Sequence, residues 1–150
     1  MSSKLLSIVL SKTRILLAIF LLIIASGSFA QSVTIGVSIP SATHGWAGGL
    51  NFHAEQSKAR LEAENPDLKI VLVTANSSSE QANDLEDLVA IHNIDALVIL
   101  PFESEPLTGP VSNVKRRGVF VTVVDRGLSE EGIADVYVAG NNAEMGRVSA

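Results

Sequence analysis

The sequence contains no cysteine. That excludes disulfides, thiolate metal sites, a cysteine nucleophile and a lipid-modified N-terminal cysteine. Aromatics are scarce, with one Trp, one Tyr and five Phe. No Asp or Glu precedes Glu55. No G-x-S-x-G elbow, G-x-G-x-x-G turn or P-loop is present, which removes the commonest sequence marks of α/β hydrolases and nucleotide binders. What is present is a hydrophobic chain of 150 residues, 47% apolar and 18% charged. It is too apolar for disorder and long enough for one domain. From Gln31 onward the remaining 8 basic residues face all 16 acidic ones. Such a surface repels phosphate backbones and argues against a nucleic-acid partner.

The N-terminus is organised differently from the rest. Lys4, Lys12 and Arg14 come first, then an unbroken apolar run over residues 15–25, then Ser-Gly-Ser-Phe-Ala. This three-part order is that of a secretory signal, with Ser28 and Ala30 at the −3 and −1 places of a cut before Gln31. A spanning helix needs about 20 apolar residues, and Lys12 and Arg14 stop the run from growing backwards. Residues 1–30 are therefore read as a signal peptide. The mature part begins at Gln31 and works outside the cytoplasm.

Within the mature part, strands and helices alternate. Apolar, β-branched runs predict strands at 33–39 (VTIGVSI), 69–74 (KIVLVT), 96–100 (ALVIL), 119–124 (VFVTVV) and 136–139. Helices are predicted at 46–64, stopped before Pro66, at about 79–92, and at about 108–117. Ser77 and Glu80 have the spacing of a capping box. The second helix should bury Ala82, Leu85, Leu88 and Val89. Pro110 is expected in the first turn of the third helix and Gly118 just past its end. Asn141 or Asn142 should cap a last helix. The strands are continuous apolar runs, as in strands covered on both faces. The fold class that follows is α/β with a doubly wound parallel sheet.

Such sheets bind ligands beyond the C-terminal ends of their strands. The segments there are 41–46, 76–79, 102–105, 125–127 and 140–142. Asp125-Arg126 directly follows an apolar strand. A carboxylate accepts two hydroxyl hydrogens and a guanidinium donates in a fixed fork, a pair suited to a polyhydroxylated ligand; a solvated turn would look the same. Trp46 could stack on a sugar ring or pack its helix onto the sheet. His44, beside it, could donate to a hydroxyl. His44, His53 and His92 lack zinc-ligand spacing, so neither a metal nor another cofactor is expected. Gly45, Gly48 and Gly49 stand at a strand–helix junction and permit close backbone approach.

Taken in order, VTIGVSIPSATHGW, IDALVILP, GVFVTVVDRG and VYVAGNNAEMG resemble the periplasmic sugar-binding proteins of ABC importers, the ribose-binding-like type I class. The resemblance runs over residues 33–150 and implies the N-terminal lobe of a two-lobed protein that closes on a sugar. It points to Trp46, with His44, as the stacking loop. Asp125 and Arg126 would read sugar hydroxyls, and Asn142 would lie at the first crossover. Where the family often has Asp-Asn, this chain has Asn141-Asn142, so one carboxylate is missing. The implied domains are the signal peptide at 1–30, an incomplete ligand-binding lobe at 31–140, and the start of an absent second lobe at 141–150. The implied partners are a small-molecule sugar and an inner-membrane ABC permease, with no nucleic acid, the full-length protein being a monomer. It implies a periplasmic binding protein without enzymatic activity. Two other readings stand beside it. One is a ligand-presenting subunit for a chemoreceptor or sensor kinase. The other is an exported α/β hydrolase using Ser41, Ser77 or Ser104 with His44. Sugar-responsive repressors share the lobe architecture but carry a DNA-binding helix-turn-helix where this chain has an export signal.

Overall fold

The computed structural model describes residues 32–42 and 45–149. The signal-peptide reading and His44 lie outside them. The elements run β1 (Val33–Pro40), α1 (Gly45–Glu64), β2 (Leu68–Ala75), α2 (Ser78–Ala90), β3 (Ala96–Ile99), α3 (Ser104–Arg116), β4 (Phe120–Val124), β5 (Val136–Val138) and α4 (Asn142–Ser149). The five strands form one sheet in the order β2-β1-β3-β4-β5. Every neighbouring pair is parallel. The chain moves outward from β1 to β2, then crosses back over β1 to β3. The strand order therefore reverses between β1 and β3.

Side chains alternate across each strand, and the two faces are covered unequally. Leu97, Ile99, Val121 and Val123 point at α2 and α3, where they meet Leu85, Leu88, Leu107, Val111 and Val114 in the main core. Gly36 is on this face because a Cβ there would sit 2.9 Å from Ile94 Cδ1 and 3.1 Å from Leu88 Cδ1. On the other face, α1 covers Ile39, Ile70 and Leu100, leaving an apolar cleft of about 270 Å³ between helix and sheet. Further along the same face Phe120, Val136 and Val138 are exposed.

Local capping explains three of the helix ends. Ser77 Oγ accepts from the Glu80 N–H at 3.1 Å. The return arm differs from a standard capping box, since Glu80 Oε2 accepts from the N–H of Asn76 at 2.8 Å rather than from Ser77. Asn141 Oδ1 caps α4 by accepting from the Glu144 N–H at 3.1 Å. Gly118 ends α3 in the left-handed region, φ +87°, where a residue without a Cβ is at no disadvantage. One expectation is corrected. Helix α3 begins at Ser104, so Pro110 lies in its interior and Pro106 takes the first-turn place. Pro110 has no N–H for the Pro106 carbonyl one turn earlier. On α2 the buried residues are Gln81, Leu85 and Leu88, and Ala82 and Val89 are only half-buried.

Candidate functional site

A cleft of about 560 Å³ opens at the C-terminal end of the sheet, where the strand order reverses. Pro40 and Ser41 line it from the end of β1. Leu100, Phe102 and Glu103 come from the end of β3, Asp125 and Arg126 from the end of β4, and Trp46 from the first turn of α1. Diverging connections at a reversal of strand order leave a crevice between them. The site therefore follows from topology, and the loops supply its chemistry.

Trp46 is 62% exposed. It lines the cleft and is not buried between α1 and the sheet, so apolar surface remains accessible to a ligand ring.

Asp125 has a left-handed backbone, φ +60°. Two contacts hold it there: its N–H donates to Val138 O at 2.7 Å, and its carbonyl accepts from Tyr137 Oη at 2.6 Å. The Tyr137 ring also lies 3.8–3.9 Å from where a Cβ on Gly127 would be. Both backbone polar groups of Asp125 are thus paired within the protein. Arg126 reaches back across the cleft floor. Its Nη1 donates to Pro101 O at 3.2 Å and to Phe102 O. These bonds occupy one end of the guanidinium and leave its other donors for solvent or ligand.

Glu103 was legible only as part of a strand-end segment, without a role. It stands at the N-cap of α3 but makes no side-chain cap bond. Its Oε2 accepts from Ser78 Oγ at 2.7 Å, tying the first turn of α2 to the rim. Phe102, half-buried, is a second aromatic residue lining the cleft. Asn142 is the first residue of α4, exposed, and is not among the residues lining the cleft. Among the described residues no group of three or more His, Asp or Glu is arranged to hold a metal ion. Asp84 titrates above and Asp135 below the ordinary aspartate value, and both lie outside the cleft lining. Burial, then Glu80 and Asp87, push Asp84 up. The Lys115 hydrogen bond, then that of the Val121 N–H, hold Asp135 down.

The cleft thus combines residues carrying rings, two carboxylates and a guanidinium at the end of an open parallel sheet. Residues 35–150 match the periplasmic binding protein domain family, and the chain belongs to that family. It is 31% identical over 121 residues to the ribose import binding protein of Bacillus subtilis, spanning 80% of this chain and 37% of that one. Among solved structures it resembles an ABC transporter solute-binding protein from Mycobacterium smegmatis with bound glycerol (TM-score 0.66, 26% identity, 78% of this chain and 38% of that one). It also resembles a fructose-binding periplasmic domain of a hybrid two-component system (TM-score 0.67, 24% identity, 78% and 37%). The chain spans a little over a third of the length of these relatives. The relatives are binding proteins, and the curated one is an import protein.

Proposed function

We propose that the chain supplies the N-terminal ligand-binding lobe of an exported solute-binding protein that captures a sugar and delivers it to an ABC permease. Residues 1–30 direct export and are cut off before Gln31. Residues 31–140 form the lobe, and residues 141–150 begin the crossover to a second one. No bond in the ligand is made or broken. The observation that carries the reading is the convergence of Trp46, Asp125 and Arg126, distant in sequence, on one cleft at the reversal of strand order.

Each group has a task that its geometry suits. The Trp46 ring covers an apolar sugar face. The Asp125 carboxylate accepts from adjacent hydroxyls, its backbone being held in place by Val138 and Tyr137. Arg126 donates to ring or hydroxyl oxygens with the end not bound to Pro101 and Phe102. Closure of a second lobe would bury the rest of the ligand and raise affinity.

The test is calorimetry on the protein made from its full reading frame, against neutral pentoses and hexoses with amino acids as controls. A sugar should bind, and Asp125→Ala should weaken it by about 1–3 kcal/mol through loss of a charged acceptor. Binding of an amino acid and of no sugar would overturn the reading. A second role, presenting the ligand to a chemoreceptor or sensor kinase, uses the same cleft. Permease and ATPase genes beside the reading frame would favour import, and a sensor gene would favour signalling.

A further inference from the structure

A fully buried polar side chain near the cleft does not line it. Gln81, in the first turns of α2, is fully buried, and its carboxamide is almost completely used. Nε2 donates to Ser38 Oγ at 3.1 Å and to Leu100 O at 3.0 Å. Oε1 accepts from the Phe102 N–H at 2.7 Å. Leu100 and Phe102 flank Pro101, the point where the chain leaves β3 and becomes the cleft wall.

One peptide plane connects this to the site. The Phe102 N–H and the Pro101 carbonyl belong to the same peptide unit. In a planar trans unit these two groups point in opposite directions. Gln81 holds the N–H on the inner side, which turns the Pro101 carbonyl outward, where it accepts from Arg126 Nη1. The Phe102 carbonyl, one residue on, accepts from the same nitrogen. Pro101 has no N–H of its own, so the Gln81 amide also takes the place of the neighbouring strand that a longer β3 would have paired with.

We propose that Gln81 is a positioning residue of the cleft: it orients the Pro101–Phe102 peptide unit and, through it, the guanidinium of Arg126. Only its consequence for ligand binding rests on the sugar-binding reading. The consequence for Arg126 exists without ligand.

The test is NMR of the ligand-free protein with Gln81→Met and Gln81→Glu. It follows hydrogen exchange of the Phe102 amide and the Nε–H resonance of Arg126, with the Val121 and Val123 amides as controls for the core. Gln81→Met removes the acceptor. Exchange at Phe102 should rise about tenfold, the effect of one ordinary hydrogen bond on a local opening equilibrium. The Arg126 resonance should move toward that of a solvated arginine. Gln81→Glu keeps an acceptor for the Phe102 N–H, so Arg126 should stay near its original resonance even though a charge has been placed in the core. A purely structural role predicts the reverse order, with Glu more disruptive than Met. In any variant that folds, Phe102 protection and the Arg126 resonance should change together. An Arg126 signal that stays fixed when Phe102 loses protection, or moves when Phe102 keeps it, would overturn the proposal. Sugar titration of the same samples is a separate readout. Failure of the unsubstituted protein to bind any sugar would count against the sugar reading and leave the Arg126 result standing.

Discussion

The two ends of the sheet use the same residue type in opposite ways. At the N-terminal end, carboxylates are consumed by backbone. Asp95 Oδ2 accepts from the Thr34 N–H at 2.8 Å, and Asp135 Oδ2 accepts from the Val121 N–H at 2.8 Å while also pairing with Lys115. Each staples the start of one strand to a neighbouring segment. At the C-terminal end the backbone of Asp125 is paired with Val138 and Tyr137 instead. No described residue's donor is bonded to the Asp125 carboxylate, which lines the cleft. A carboxylate to which no protein donor is bonded has its full accepting capacity left for a ligand. One end of the sheet spends its charge on holding strands together, and the other keeps it available.

Four substitutions separate the two ends, in order of expected effect. Asp125→Asn keeps the shape and the tolerance of left-handed backbone but removes the charge. It should lower sugar affinity by about 1–3 kcal/mol, the range for charged hydrogen bonds, and leave unfolding stability within about 0.5 kcal/mol. Calorimetry and denaturant titration read the two quantities. Asp95→Ala should do the opposite, costing about 1 kcal/mol of stability for the lost partner of the Thr34 N–H, with sugar affinity unchanged. Asp125→Gly relieves the left-handed strain and should leave stability equal or raise it by up to about 1 kcal/mol. It should still impair binding. A loss of stability there would mean that the side chain has a structural task.

The smallest effect is a pH dependence at the N-terminal end. Asp135 titrates below its ordinary value of 3.8 because Lys115 and the Val121 N–H stabilise its charged form. Its contribution is therefore complete above that value and is lost as pH falls through the lowered folded pKa. Asp135→Asn should unfold at lower denaturant than the parent at neutral pH, and the difference should shrink in strong acid. A difference that persists unchanged in acid would show that the charge is not what stabilises.

Much of the architecture was legible because it rests on local rules. Runs such as 33–39 and 119–124 are largely β-branched and apolar, which marks strands of a parallel sheet, although one face of β4 is left uncovered at Phe120. Gly118 and the Ser77–Glu80 spacing marked helix ends through side-chain and backbone chemistry that is visible in sequence. The start of α3 was not legible, because Glu103 caps it without a side-chain bond and Pro110 obscures the continuity of its helix. Strand-end logic picked out Trp46, Asp125 and Arg126, and the fold brings them to one cleft. Asn142 stands outside that lining and His44 lies outside the described residues. Gln81 carries no mark of its burial in the sequence. A glutamine beside Ser, Glu and Asn reads as solvated surface. Its burial depends on Ser38, Leu100 and Phe102, partners from other parts of the chain.

The central claim is that the cleft between Trp46 and Asp125 captures a sugar. Trp46 is the sole tryptophan of these 150 residues, and the difference between the parent and a Trp46→Phe variant isolates its emission. The most direct measurement is a sugar titration followed by Trp46 emission, in the protein from its full reading frame and in its Asp125→Asn variant. The account predicts a saturable change in emission whose midpoint moves about 10- to 100-fold higher in the variant. Saturable sugar binding by calorimetry that leaves Trp46 emission unaltered and the Asp125→Asn midpoint unmoved would contradict it.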